Sequence, residues 1–187
     1  MDKEINARIR ERLEELNVPV VLTGMMGAGK THIGRKLAEA LGLDFFDLDR
    51  EIEKAANCSV RDIFEYYGEK AFRDVEKRVL RRLIARGISV ISLGGGAIAD
   101  EQTRKLIKQK ALLIWLDADI NVLYQRVKGS THRPLLQQDN PEEKLKELAQ
   151  KREKYYSQSH LRVDSNHKSP SQTLRLMIKE LESFLES

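Results

Sequence analysis

Cysteine is almost missing from this 187-residue sequence. The lone Cys58 has no partner within the chain, which excludes a disulfide-stapled scaffold and suits a reducing compartment, so the cytoplasm is the expected location. No run approaches the roughly 18 consecutive apolar residues of a membrane span. The first seventeen residues mix acids (Asp2, Glu4, Glu11, Glu14, Glu15) with bases where a signal or transit peptide would need an apolar or acid-poor stretch. An excess of one charge is lacking too: 33 basic against 29 acidic side chains leave +4, a mildly basic surface rather than a stripe for nucleic acid. No repeat, low-complexity tract or interdomain linker interrupts the chain.

What is there suits one compact domain of roughly 100–200 residues, long enough to bury about 70% of its unfolded surface. Ile5, Ile9, Leu13 and Leu16 recur at helical spacing, so residues 1–17 are expected to form an amphipathic helix ending before Pro19, an extension ahead of a domain at 18–187. Short apolar runs at 18–22, 43–48, 88–93, 111–116 and 161–163 are expected strands. Helical patterns at 29–41, 59–67, 71–85, 100–109, 120–128, 141–156 and 171–184 separate them, the second opening on a capping signal, Ser59 with Asp62. Strands alternating with helices predict a three-layer α/β fold: a five-stranded parallel sheet with helices on both faces and ligands at the carboxyl ends of the strands. Residues 129–140 (GSTHRPLLQQDN) carry turn formers and no period, the mark of a mobile lid or binding loop.

Between the first strand and the next helix stands Gly24-Met25-Met26-Gly27-Ala28-Gly29-Lys30-Thr31, which satisfies G-x-x-x-x-G-K-[ST] in the context that motif requires. Glycines let successive backbone N–H groups curl around a phosphate, and the following helix aims its positive end at the same anion. Lys30 can reach the β and γ oxygens, and the Thr31 hydroxyl is placed to ligate Mg²⁺. A nucleoside triphosphate is the expected ligand. The guanine signature N-K-x-D does not occur, which sets GTPases aside.

A kinase needs a second site for an acceptor hydroxyl. Asp47 and Asp49, at i and i+2 where the second strand is expected to end, would share one face. They could hold Mg²⁺ and orient or deprotonate the acceptor, or else cap the next helix as solvated acids. Gly94, Gly95 and Gly96 follow the third strand and offer bare backbone to a ligand, or form a plain turn. Arg73 and Glu76 are spaced as a helical ion pair, most often solvated. Arg126, Arg133 and Arg152 look, singly, like ordinary surface charge.

Seven segments taken in order, GMMGAGKT, FFDLD, GEKAFRDVE, SLGGG, RPLL, KREKYY and the stretch from Asn166 to Pro170, resemble the shikimate kinases over about residues 18–185. The resemblance implies transfer of the γ-phosphate of ATP to the 3-hydroxyl of shikimate, with Mg²⁺, by a cytoplasmic, monomeric enzyme of aromatic amino acid biosynthesis that binds neither nucleic acid nor membrane. It implies that the loop from Gly27 through Ala28, Gly29, Lys30 and Thr31 binds ATP. Lys30, Asp49 and Arg133 would be catalytic, with Thr31 and Asp47 at the metal and the substrate region at about 47–85. Arg73 and Arg152 would clamp the shikimate carboxylate, a planar anion suited to guanidinium forks, with Asp49 and the backbone of Gly94, Gly95 and Gly96 completing the acceptor site and Glu76 holding Arg73. Arg126 and Pro170 would lie against adenine, and Arg133 on the lid would swing onto the phosphates. His32 stands where the family commonly has a hydroxyl residue near the α-phosphate. A sugar or cyclitol kinase of the gluconate kinase type is the alternative enzyme, and a noncatalytic ATP-binding module the alternative outside catalysis.

Overall fold

A computed structural model describes residues 3–129, 140–166 and 168–186. The chain runs α1 (Lys3–Leu16), β1 (Val20–Thr23), α2 (Lys30–Leu41), β2 (Phe45–Asp47), α3 (Leu48–Ala56), α4 (Val60–Ile84), β3 (Val90–Ser92), a 3₁₀ turn (Ala97–Ala99), α5 (Glu101–Lys110), β4 (Leu112–Asp117), α6 (Ile120–Val127), α7 (Pro141–Tyr156), β5 (Leu161–Asp164) and α8 (Pro170–Glu186). The five strands form one parallel sheet in the order β2-β3-β1-β4-β5. All four residues of β1 and all three of β3 are buried, as expected of strands covered by helices on both faces. β2 and β5, at the edges, are only partly buried.

The connection from β1 leads through α2 to the β2 side, whereas that from β3 leads across to β4. Brackets of this kind leave a crevice at the carboxyl ends of the central strands, and the Gly24–Thr31 loop emerges there.

Two sequence expectations change. The run at 43–48 yields only three strand residues, because Asp47 accepts the backbone N–H of Arg50 and caps a helix that the periodicity did not show. Asp49 therefore sits in the first turn of α3 rather than on a strand, and the i, i+2 face argument fails. The capping reading of Asp47 is the one the local geometry follows. The expected break between helices at 59–67 and 71–85 is real: Gly68, at φ 77° and ψ 173°, interrupts α4, and the Ser59–Asp62 capping box starts it. A left-handed φ of this kind is a glycine conformation.

The extension is part of the packed body. Ile9 and Leu13 of α1 are buried in the same apolar cluster as the sheet, against α2 and α8. Arg10 donates to the carbonyl of Gly42, the residue that ends α2, at 3.1 Å.

Candidate functional site

The glycines shape the loop after β1. Gly24, Gly27 and Gly29 have φ of 138°, 82° and 95°, values that disfavour a side chain. Gly29 is the N-cap of α2 and brings no capping side chain. The first-turn amides of α2 are thus left facing the crevice, together with the positive end of the helix. Lys30 Nζ lies 2.8 Å from the carbonyl oxygen of Gly24 and 3.0 Å from that of Met25, so its ammonium is held at the loop's mouth.

A cavity of about 420 Å³ opens beside this loop, lined among others by Lys30, Thr31, Asp47, Asp49, Gly94 and Gly95. The Thr31 hydroxyl donates to Asp47 Oδ2 at 2.8 Å. One hydroxyl and one carboxylate joined this way are hard oxygen donors, which would suit a Mg²⁺ shared with a ligand's phosphates rather than held by an all-protein cage. The donor set fits the ion. Among the described residues no cluster of three or more His, Cys, Asp or Glu side chains would hold a metal by itself.

Burial raises the pKa of Asp49, and the charge of Asp47 raises it further, against the lowering pull of Lys30 and Arg73. A carboxylate poised nearer neutrality is suited to accept a proton from an alcohol. The backbone at Gly94, Gly95 and Gly96 meets three side chains in turn. A Cβ on Gly94 would stand 2.5 Å from Asp49 Oδ1, one on Gly95 3.5 Å from Arg152 Nη1, and one on Gly96 2.7 Å from Arg73 Nη2. The sequence offered this turn as either a ligand contact or a plain connection, and it is packed against all three charged groups.

Arg73 and Glu76 are not the solvated pair their spacing suggests. Glu76 is 1% exposed, and Arg73 Nη1 bonds its Oε2 at 2.7 Å. Burial raises the pKa of Glu76 against the lowering pull of Arg73. Glu69 bonds the other edge of the same guanidinium, at 3.3 Å from Nη2. Arg126 is likewise more than surface charge: its Nη2 donates to the Ser165 carbonyl at 2.7 Å and its Nη1 to Gly27 O at 3.3 Å, which ties α6 to the phosphate loop. His32 is exposed at the cavity's edge. Pro170 opens α8, just after the segment in which Asn166 Oδ1 accepts the N–H of Asp119 at 2.7 Å. Arg133 and residues 130–139 of the lid expected at 129–140 lie outside the described residues, as do His132 and His167.

Three contributors were given no role of their own by the sequence. Ser92, buried beneath the cavity, is an ordinary strand residue by pattern. Ser165 matters only because the sheet delivers it to Arg126. Tyr156, 1% exposed, donates its hydroxyl to Met25 Sδ at 3.5 Å, which joins α7 to the phosphate loop.

A triphosphate-binding loop at the switch point of such a sheet, sharing a cavity with Asp47 and Asp49 and with the guanidinium groups of Arg152 and Arg73 against the adjoining glycine turn, defines a P-loop kinase of a small acidic alcohol. A family model described as Shikimate kinase matches residues 26–182. The shikimate kinase of Novosphingobium aromaticivorans is 42% identical over 171 residues, 89% of this chain and 89% of that protein. Among solved structures, the shikimate kinase of Acinetobacter baumannii in complex with shikimate superposes with a TM-score of 0.84 at 36% identity, covering 89% of this chain and 93% of the other. The chain belongs to the shikimate kinase family. A gluconokinase from Sinorhizobium meliloti, at 19% identity and a TM-score of 0.62, shares the fold alone. The family match begins after α1, so the extension lies outside it.

Proposed function

We infer that this chain transfers the γ-phosphate of ATP to the 3-hydroxyl of shikimate, releasing ADP and shikimate 3-phosphate. The observation that carries this is the glycine turn, where three successive residues face Asp49, Arg152 and Arg73 within reach of Lys30. A ring-shaped alcohol bearing one carboxylate fits that arrangement: guanidinium forks take the planar acid, the carboxylate takes the hydroxyl, and bare backbone lets the ring approach. Gluconate also carries a carboxylate, but on an open, freely rotating chain, so its hydroxyls are not held at a fixed distance from the acid as those of a ring are.

In this mechanism the amides of Gly27, Ala28 and Gly29 and the Lys30 ammonium hold the β and γ phosphates, while His32 borders the α-phosphate. Thr31 and Asp47 hold Mg²⁺, which when bound neutralises charge on the phosphate oxygens. Asp49 orients the acceptor hydroxyl and accepts its proton as the oxygen attacks the γ-phosphorus and the bond to the β-phosphate oxygen breaks. Arg73 and Arg152 bind the carboxylate, and Gly94, Gly95 and Gly96 bind through backbone. Arg126 and Pro170 flank the adenine, and Arg133 adds positive charge over the transferring group. Catalysis then rests on positioning and electrostatics rather than on a covalent intermediate. The enzyme works as a cytoplasmic monomer on ATP and shikimate, with neither nucleic acid nor membrane as partner.

The test is an ADP-release assay with Mg²⁺·ATP and shikimate, quinate or gluconate as acceptor. Turnover is expected with shikimate. Preference for gluconate would move the chain to the alternative enzyme, and ATP binding with no turnover on any acceptor would make it a binding module.

A further inference from the structure

The two guanidinium groups of the acceptor site come from helices far apart in sequence, α4 for Arg73 and α7 for Arg152. Their separation must match one carboxylate to within a fraction of an ångström for both forks to engage. What sets that separation is found outside the cavity, on the segment that leaves Gly96. Arg104, in the first half of α5, folds back so that its Nη1 donates to the carbonyl oxygens of Ile98 at 2.9 Å and Ala99 at 2.7 Å. The guanidinium carbon lies 4.2 Å from the centre of the Tyr155 ring, within the range of a cation–π contact.

Tyr155 stands three residues after Arg152 on α7, so the two share one side of that helix. The glycine turn is thereby fastened, through Ile98, Ala99 and Arg104, to the helix whose Arg152 stands over Gly95. The other arm has a tether of its own. Lys77, four residues after Arg73 on α4, pairs at 3.3 Å with Asp100, the N-cap of α5. Residues 98–104 bracket both helices to the turn on which the substrate would rest.

We propose that Arg104 is a positioning residue for recognition of the acceptor's carboxylate: it joins the turn after Gly96 to Tyr155 and so holds Arg152 at its working distance. This rests on the assignment of Arg152 to the carboxylate made above. Arg104 lines none of the cavity and acts through contacts with backbone and ring.

The experiment compares wild type, Arg104→Gln, Tyr155→Phe, Arg152→Lys and the Arg104→Gln/Arg152→Lys double variant as purified full-length proteins, by steady-state kinetics with shikimate and ATP. Arg104→Gln is expected to raise KM for shikimate about fivefold or more while KM for ATP stays within about twofold. Tyr155→Phe, which keeps the ring face, is expected to match wild type. In the Arg152→Lys background the added effect of Arg104→Gln on kcat/KM for shikimate should shrink to less than about twofold, because the arm it holds is already blunted. A parallel rise in both KM values, an unchanged KM for shikimate, or a full-sized effect in the double variant would each overturn the proposal. Should Arg104→Gln fail to fold, Tyr155→Leu removes the same contact from the other side and is judged by the same criteria. Wild-type protein that phosphorylates gluconate and not shikimate would overturn the functional assignment and this proposal together, whereas active wild type with an indifferent Arg104→Gln overturns only the proposal.

Discussion

Asp49 and Gly94 touch across the cavity so closely that a methyl group on Gly94 would stand 2.5 Å from the carboxylate oxygen Oδ1. The glycine thus leaves the room in which Asp49 can face a substrate. Gly94→Ala is expected to displace that carboxylate or the backbone turn and lower kcat/KM for shikimate by about 100-fold, as misplacement of a reacting group does. Its affinity for ATP, measured by titration with a fluorescent ATP analogue, should change by less than about threefold. Wild-type kcat/KM in this variant would show that the contact does not govern catalysis.

Asp49 should show a trade between activity and stability. Its folded-state pKa is raised, chiefly by burial. A raised carboxyl pKa means that the folded state binds the proton more tightly than the unfolded chain does. The associated stability is fully present below the unfolded value and lost as pH rises through the folded one, so at neutral pH the ionised group opposes folding. Asp49→Asn is therefore expected to raise Tm at pH 7 while lowering kcat by about 100-fold or more. In wild type, kcat/KM should fall as pH drops through a pKa above the ordinary aspartate range, and this acid limb should vanish in the variant. An unchanged acid limb in Asp49→Asn would assign the titration to another group.

Arg73 makes bonds on two edges, to Glu76 at 2.7 Å and to Glu69 at 3.3 Å. Arg73→Lys keeps the charge and loses the planar fork. KM for shikimate should rise about tenfold, the effect of losing one charge-assisted bond, and KM for ATP should stay within about twofold. Equal effects on both ligands would remove Arg73 from the acceptor site.

The helix α1 should govern stability without touching catalysis, since Leu13 is fully buried and no α1 residue lines the cavity. Leu13→Ala is expected to destabilise the protein by about 2–5 kcal/mol, a drop in Tm of roughly 5–15 °C for a chain of this size. Both KM values, measured well below the new Tm, should be unaltered. A loss of activity at full occupancy of the folded state would give the extension a role in the site.

How much of this was legible in the chain divides along physical lines. The phosphate loop was readable because its chemistry is local: eight consecutive residues supply the nest, the ammonium and the hydroxyl, and the strand before and helix after confirm them. The alternation of apolar runs with helical periods likewise predicted the parallel sheet, and Ser59 and the gap between 67 and 71 marked real boundaries. Helix α3 was hidden because nine residues (Leu48–Ala56) hold barely two and a half turns, too few to display a period against the strand before them. Asp49 was singled out by its spacing from Asp47 and placed on the wrong element.

The sequence by itself determined that a triphosphate loop lies on a parallel α/β sheet, since backbone conformation and hydrophobic period are short-range properties of neighbouring residues. Only the tertiary structure decided that Glu76 is buried against Arg73, that Arg126 is bound by Ser165, and that Asp49, Arg152 and Arg73 stand over three successive glycines. Such relations join residues tens of positions apart, and burial and charge environment exist only once the sheet order has brought them together.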